Sequence, residues 1–176
     1  MAWLNLSGLV AGAAFGFLLG FAFLLLCWSV VAGRRIAIDP KEILLFMAIS
    51  CPVGLMLEVG CGWLHLLLFG EPLWQYRVMP AHGGFTSQYN FGLWPLYGAH
   101  LYFFHQARAS WRLSRVGEFW LSAGKSVLSG PLLEIAINAF FLLCFGQYFF
   151  YYFPDDLWHL TSLAVIPYYA VSSLIL

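Results

Sequence analysis

Apolar residues run in blocks long enough to fill a bilayer, and most charged residues fall between the blocks. A spanning helix needs about 20 predominantly apolar residues. The pattern predicts five helices, over Gly8–Val31, Glu42–Phe69, Tyr89–Phe104, Gly117–Phe149 (its inner end interfacial) and Leu157–Leu176. No strand is expected. The fold class is all-α: a polytopic integral membrane protein of about five transmembrane helices.

Orientation follows from the arginines. Arg34, Arg35 and Lys41 lie between the first two helices, and Arg108, Arg112 and Arg115 between the third and fourth. The alternate connections hold Glu71 with Arg77, then Asp155 with Asp156 and no positive residue. Positive-inside bias places the basic loops in the cytoplasm, the N-terminus outside and the C-terminus inside. Met1-Ala-Trp-Leu-Asn5 lacks the positive region of a signal peptide, so the first apolar run is expected to be a mature helix. The expected location is a membrane, the bacterial inner or plasma membrane.

Two of the long helices carry one motif. Gly54-Leu-Met-Leu-Glu58-Val59 is repeated as Gly130-Pro-Leu-Leu-Glu134-Ile135, 76 residues on. At that shift Phe69-Gly70 meets Phe145-Gly146 and Tyr76 meets Tyr152. At a shift of 72, Pro95-Leu-Tyr97 meets Pro167-Tyr-Tyr169. The chain then divides into an N-terminal helix and basic loop (1–41), a first helix pair with an aromatic outer loop (42–106), and a basic loop with a second pair (107–176). Both pairs enter from the same side, so they would be parallel repeats about an axis along the membrane normal.

Gly54-x-x-x-Glu58, Trp74-Gln75-Tyr76, Asn90-Phe-Gly92 and Pro95-Leu-Tyr-Gly98 together resemble the bacterial family labelled type IV ABC-transporter membrane protein, and its uncharacterised animal transmembrane relatives. The resemblance spans about Ile43 to Leu176 and omits the first helix. Where that family has Trp-Asp-Tyr, this chain has Trp74-Gln75-Tyr76. The resemblance implies a membrane-embedded, transport-associated component.

An ionised carboxylate at mid-membrane costs roughly 2.5–3.5 kcal/mol on insertion scales. Glu58 and Glu134 should therefore face inward, and the repeat puts them at similar depth. They are expected to line one polar pocket with His65, His100 and Asn138. Pro52 and Pro131 should free the carbonyls of Ala48 and Val127 nearby. Cross-linking of these polar groups into a helix register is the purely structural alternative. Glu58, Cys61 and His65 share a helix face, but the second repeat has Ile137 and Phe141 where a metal would need ligands, so no metal is expected. Haem on His100 or His105 has only the residue type behind it. Lys125 is expected to snorkel to the cytoplasmic side or to pair with Glu118.

Gly8, Gly12, Gly16 and Gly20 recur every fourth residue, a small-residue ridge suited to close helix packing, as are Gly54 and Gly130. The ridge could meet this chain's own bundle, a second copy or another subunit. The connection Glu71 to Gln88 is long, with Trp74, Tyr76, Arg77 and His82 as its candidate binding residues. A surface loop packed by its own aromatics is the alternative, with Gly83-Gly84 as turn chemistry.

Composition narrows the function. Hydrophobic residues make up 62% and charged residues 9% of 176 residues, with no formal net charge. No basic stripe is present for nucleic acid. Cys27, Cys51, Cys61 and Cys144 lie inside apolar runs without a CxxC pair, as small buried residues would. No nucleotide-binding or catalytic motif is present, and no cofactor is expected. The expected function is a non-ATPase, permease-like or transport-associated module for a proton, ion or small amphipathic solute. A structural or accessory subunit is the alternative, and an intramembrane enzyme ranks last. Lipids, and further copies or other membrane subunits, are the expected partners.

Overall fold

The structure, a computed structural model, describes residues 2–108 and 114–172, with backbone alone for 2–13 and for a few positions near the start of the fourth helix. Arg112, Leu176, the side chains of Arg115 and Glu118, and the surroundings of Gly8 and Gly12 lie outside the description. Five α-helices are present among the described residues: α1 Ala2–Val31, α2 Pro40–Phe69, α3 Asn90–Arg108, α4 Arg115–Phe145 and α5 Ile166–Ser172. Three of them, α1, α2 and α4, are long and apolar enough to cross a membrane. Met56, Leu67, Leu132 and Leu143 on α2 and α4 are exposed, as lipid-facing side chains would be. Cys144 is also exposed rather than buried.

The helix ends have local causes. Asp39 opens α2, its Oδ1 accepting from the N–H of Lys41 at 2.8 Å and of Glu42 at 3.2 Å. Ser114 caps α4 by accepting from the Gly117 N–H at 3.2 Å. Gly70 (φ 77°) and Gly146 (φ 67°) end α2 and α4 in the left-handed conformation, their N–H groups returning to Leu66 and Leu142. Both helices run on through Pro52 and Pro131.

Two expectations need correction. The fifth helix was expected from Leu157, but α5 begins at Ile166. Leu157, Trp158 and His159 are all left-handed (φ 45°, 53° and 59°), which no right-handed helix accommodates, and a second 3-10 turn follows at Leu163–Val165. Strands were not expected, yet four short ones form: β1 Trp74–Tyr76, β2 Pro80–Ala81, β3 Thr86–Ser87 and β4 Phe150–Tyr152. These connectors are buried, so their backbone groups must pair with one another rather than with water.

The chain divides into two compact units. One holds residues 1–54 and 89–112. Its core is Ile36, Ile43, Ala99, Tyr102, Phe103 and Ala107, with Phe21, Leu24 and Trp28 of α1 packed against it. Tyr102 is fully buried, donating to the Ala37 carbonyl at 3.1 Å and accepting from the Asp39 N–H at 2.8 Å, which fastens the α1–α2 connection onto α3. Gly98 lets α3 lie against the α2 backbone: a Cβ there would stand 2.6 Å from the Phe46 carbonyl oxygen. On α1, Gly20 faces Leu96 while Gly16 looks into open space.

The other unit holds residues 55–88 and 113–176. Its most buried residues come largely from the connectors: Leu73, Ser87, Phe149, Tyr152, Thr161 and Ser162 are all almost wholly inaccessible. β1 pairs antiparallel with β4, Trp74 opposite Tyr152, Gln75 opposite Tyr151 and Tyr76 opposite Phe150. The ladder is extended at both ends: the Arg77 N–H donates to Phe149 O at 2.9 Å and the Phe153 N–H to Leu73 O at 3.0 Å. Under a shift of 76 each of these pairings maps onto another of them, with Gln75 and Tyr151 at the centre. β2 pairs with β3 beside it.

Candidate functional site

Both intramembrane glutamates lie in this second unit, each 11 residues before the phenylalanine that ends its helix. At 1.5 Å per residue that is about 16 Å, half the thickness of a hydrocarbon core of about 30 Å. Neither carboxylate meets a basic side chain. Hydroxyls solvate them instead. Tyr76 donates to Glu58 Oε1 in a short hydrogen bond, and Thr86 Oγ1 donates to Oε2 at 2.5 Å. Glu134 Oε1 accepts from Tyr152 and Tyr169, both at 2.7 Å, and its Oε2 from Thr161 at 2.5 Å. The tyrosine follows its glutamate by 18 residues in both sites, and the threonine by 28 and 27.

The connectors deliver these hydroxyls by the same local route. After the left-handed glycine comes a strand, which carries the tyrosine inward. A run of three left-handed residues then reverses the chain, His82, Gly83 and Gly84 (φ 50°, 73° and 90°) in one case and Leu157, Trp158 and His159 in the other. The threonine follows two residues later. In the first connector two of the three are glycines, for which this conformation costs little. In the second none is, and side chains hold the turn. His159 Nδ1 donates to the Tyr152 carbonyl at 2.8 Å, its ring stacks on Tyr151 at 4.4 Å, and Tyr148 donates to the Trp158 carbonyl at 3.2 Å. Arg77 lies 5.3 Å over the other part of this cluster, the Tyr151 ring. The helix glycines make room for aromatic rings: a Cβ on Gly130 would meet Tyr169 at 2.4 Å, and one on Gly54 would meet Trp94 at 2.1 Å.

Glu58 and Glu134 are near enough to interact electrostatically. Other residues expected around them are bonded elsewhere. His65 Nδ1 pairs with the Tyr168 hydroxyl at 2.9 Å and its ring contacts Phe69. Asn138 is fully buried and holds connector backbone, accepting from the N–H groups of Phe149 at 3.0 Å and Phe150 at 3.2 Å and donating to Leu160 O at 2.8 Å. His100 belongs to the first unit, where its Nδ1 accepts from Trp28 Nε1 at 3.1 Å. Trp74 Nε1 donates to Phe85 O at 3.0 Å, and His82 is exposed at its turn. Among the described residues no group of three or more His, Cys, Asp and Glu side chains could hold a metal ion.

Thr86, Thr161, Tyr152 and Tyr169 were not singled out as site residues from the sequence. The signal was there: Tyr152 and Tyr169 align with Tyr76 and Tyr97, and Thr86-Ser87 recurs as Thr161-Ser162. Burial, and next the Glu134 carboxylate, push the Tyr152 phenol well above its ordinary pKa, so it stays a donor wherever a free tyrosine would. Hydroxyls suit a carboxyl that changes its protonation state, since each can turn from donor to acceptor without moving its oxygen. No family model, no curated protein and no solved structure matches the chain.

Proposed function

We propose that this protein is a membrane-embedded, permease-like module without an ATPase of its own, in which Glu58 and Glu134 take up and release a proton near mid-membrane. The observation that carries this reading is the pair of matching hydroxyl cages. The same carboxylate, at the same depth, is solvated by the same side-chain types at nearly the same offsets on two helices. Parallel repeats around a midplane site are a recurrent transporter plan. On this reading the chain is two duplicated helix pairs behind an extra N-terminal helix, with α3 and α5 belonging to the fourth and fifth crossings of the expected five. The N-terminus is outside and the C-terminus cytoplasmic, and the resemblance to the ABC-transporter membrane-protein family has the same sense. Protonation would take an acceptor from a tyrosine or threonine, loosening the connector that closes the outer side.

The test is proton flux into liposomes holding the purified protein, read with an entrapped pH dye under an imposed gradient. Glu58→Gln and Glu134→Gln are each expected to lower the protein-dependent rate at least tenfold while the chain stays folded. Unchanged flux in both variants would overturn the reading.

A structural or accessory subunit remains a second reading, favoured by Gly16. It is exposed on α1 with no atom within 4 Å of where its Cβ would be. Alanine is a better helix former than glycine by roughly 1 kcal/mol. If no partner covers this face, Gly16→Ala should leave the chain as stable as before or slightly more so, and leave its assembly size in mild detergent unaltered. Loss of a co-purifying chain or of an oligomer on that substitution would favour the subunit reading.

A further inference from the structure

We infer that Trp74 and Asn138 are positioning residues for the two carboxylate cages, performing one task by two different means. The threonine that donates to each glutamate is attached to a peptide unit whose carbonyl belongs to the preceding residue, Phe85 or Leu160. These two residues share a backbone conformation (φ −73° and −74°), and each returns its N–H to the start of its left-handed turn. Their carbonyl oxygens are buried in the connectors and need a donor, because a lone carbonyl away from water is costly. Phe85 O receives the indole N–H of Trp74, from β1. Leu160 O receives the amide N–H of Asn138, from α4. Each donor sets the tilt of the peptide plane from which the threonine Oγ1 reaches its carboxylate.

The two solutions exclude one another position by position. The counterpart of Asn138 at a shift of 76 is Gly62, which has no side chain, and the counterpart of Trp74 is Phe150, which has no N–H. Gly62 cannot simply be exchanged, because the Phe85 ring lies over it: a Cβ there would stand 2.5 Å from Phe85 Cδ1. Leu160 occupies the place of that ring in the second site. Each site thus holds one donor, with the surrounding positions shaped to it.

The inference concerns the same carboxylates as the proposed function but rests on that reading only for its consequence, so it is tested spectroscopically rather than by flux. The probe is the infrared carboxyl band of Glu58, isolated as the difference against Glu58→Gln in the full chain. Trp74→Phe is expected to shift this band as the Thr86 hydrogen bond is misaligned. Transplanting the second solution, as Trp74→Phe with Phe85→Leu and Gly62→Asn, is expected to return it. The control carries Gly62→Leu in place of Gly62→Asn, equal in bulk but without a donor, and should keep the shifted band. A band unmoved by Trp74→Phe would overturn the inference. If that variant does not fold, identical bands for the two triple variants would overturn it equally. Altered flux with an unmoved band would leave the functional reading standing and remove this one.

Discussion

Asn138→Leu is expected to be the most damaging single substitution in the second unit. The leucine fills a similar volume but strands three buried backbone groups, the N–H of Phe149, the N–H of Phe150 and the carbonyl of Leu160. Each buried group left without a partner costs about 1–3 kcal/mol, so the sum is roughly 3–6 kcal/mol, comparable with the whole stability of many domains, about 5–15 kcal/mol. Tryptophan fluorescence during denaturant titration in detergent would measure it. Asn138→Asp keeps an acceptor for the two N–H groups and loses only the donor to Leu160, so it should fall between wild type and leucine. A leucine variant as stable as wild type would mean that the connector does not depend on this side chain.

Gly98→Ala should do comparable harm in the first unit by a different mechanism. The added methyl would sit 2.6 Å from Phe46 O and 2.7 Å from Met47 Cα. These are backbone atoms of α2, so no rotamer change relieves the contact and the two helices must separate. Overpacking costs typically 1–3 kcal/mol where side chains can yield, and here about 3 kcal/mol or more is expected. Separation also pulls on Tyr102, whose hydroxyl fastens the α1–α2 connection. The same denaturant titration checks it, with Gly54→Ala as a comparison. There the obstacle is the Trp94 ring, a side chain that can shift, and the loss should be smaller. Equal losses in the two variants would contradict the distinction between backbone and side-chain contact.

The sites on α2 and α4 show why intramembrane acids invite functional readings and also why the fold depends on them. A carboxylate solvated by hydroxyls pulls its connector down into the bundle, because tyrosine and threonine must reach it from the next segment. The connectors then lose water, and their backbone must pair internally. β1 and β4 satisfy one another, while Trp74 and Asn138 serve the turns. A polar demand at mid-membrane is thereby answered by irregular backbone sealed in protein, the condition under which lipid tolerates such backbone.

The sequence by itself determined the apolar helices α1, α2 and α4, since twenty-residue apolar runs have no other stable form in a bilayer. It also determined that Glu58 and Glu134 sit at equivalent depth, because each precedes a Phe-Gly helix end by the same number of residues. The 76-residue recurrence already paired Tyr76 with Tyr152. Tertiary structure alone decided what those acids bind. Hydroxyl partners 18 and 28 residues away depend on a chain reversal that His82-Gly83-Gly84 and Leu157-Trp158-His159 both make, although the two triplets share no residue type at matching positions. It also decided that the aromatic connectors are core rather than surface, because burial there follows from β1 pairing with β4, a long-range contact to which no local periodicity corresponds.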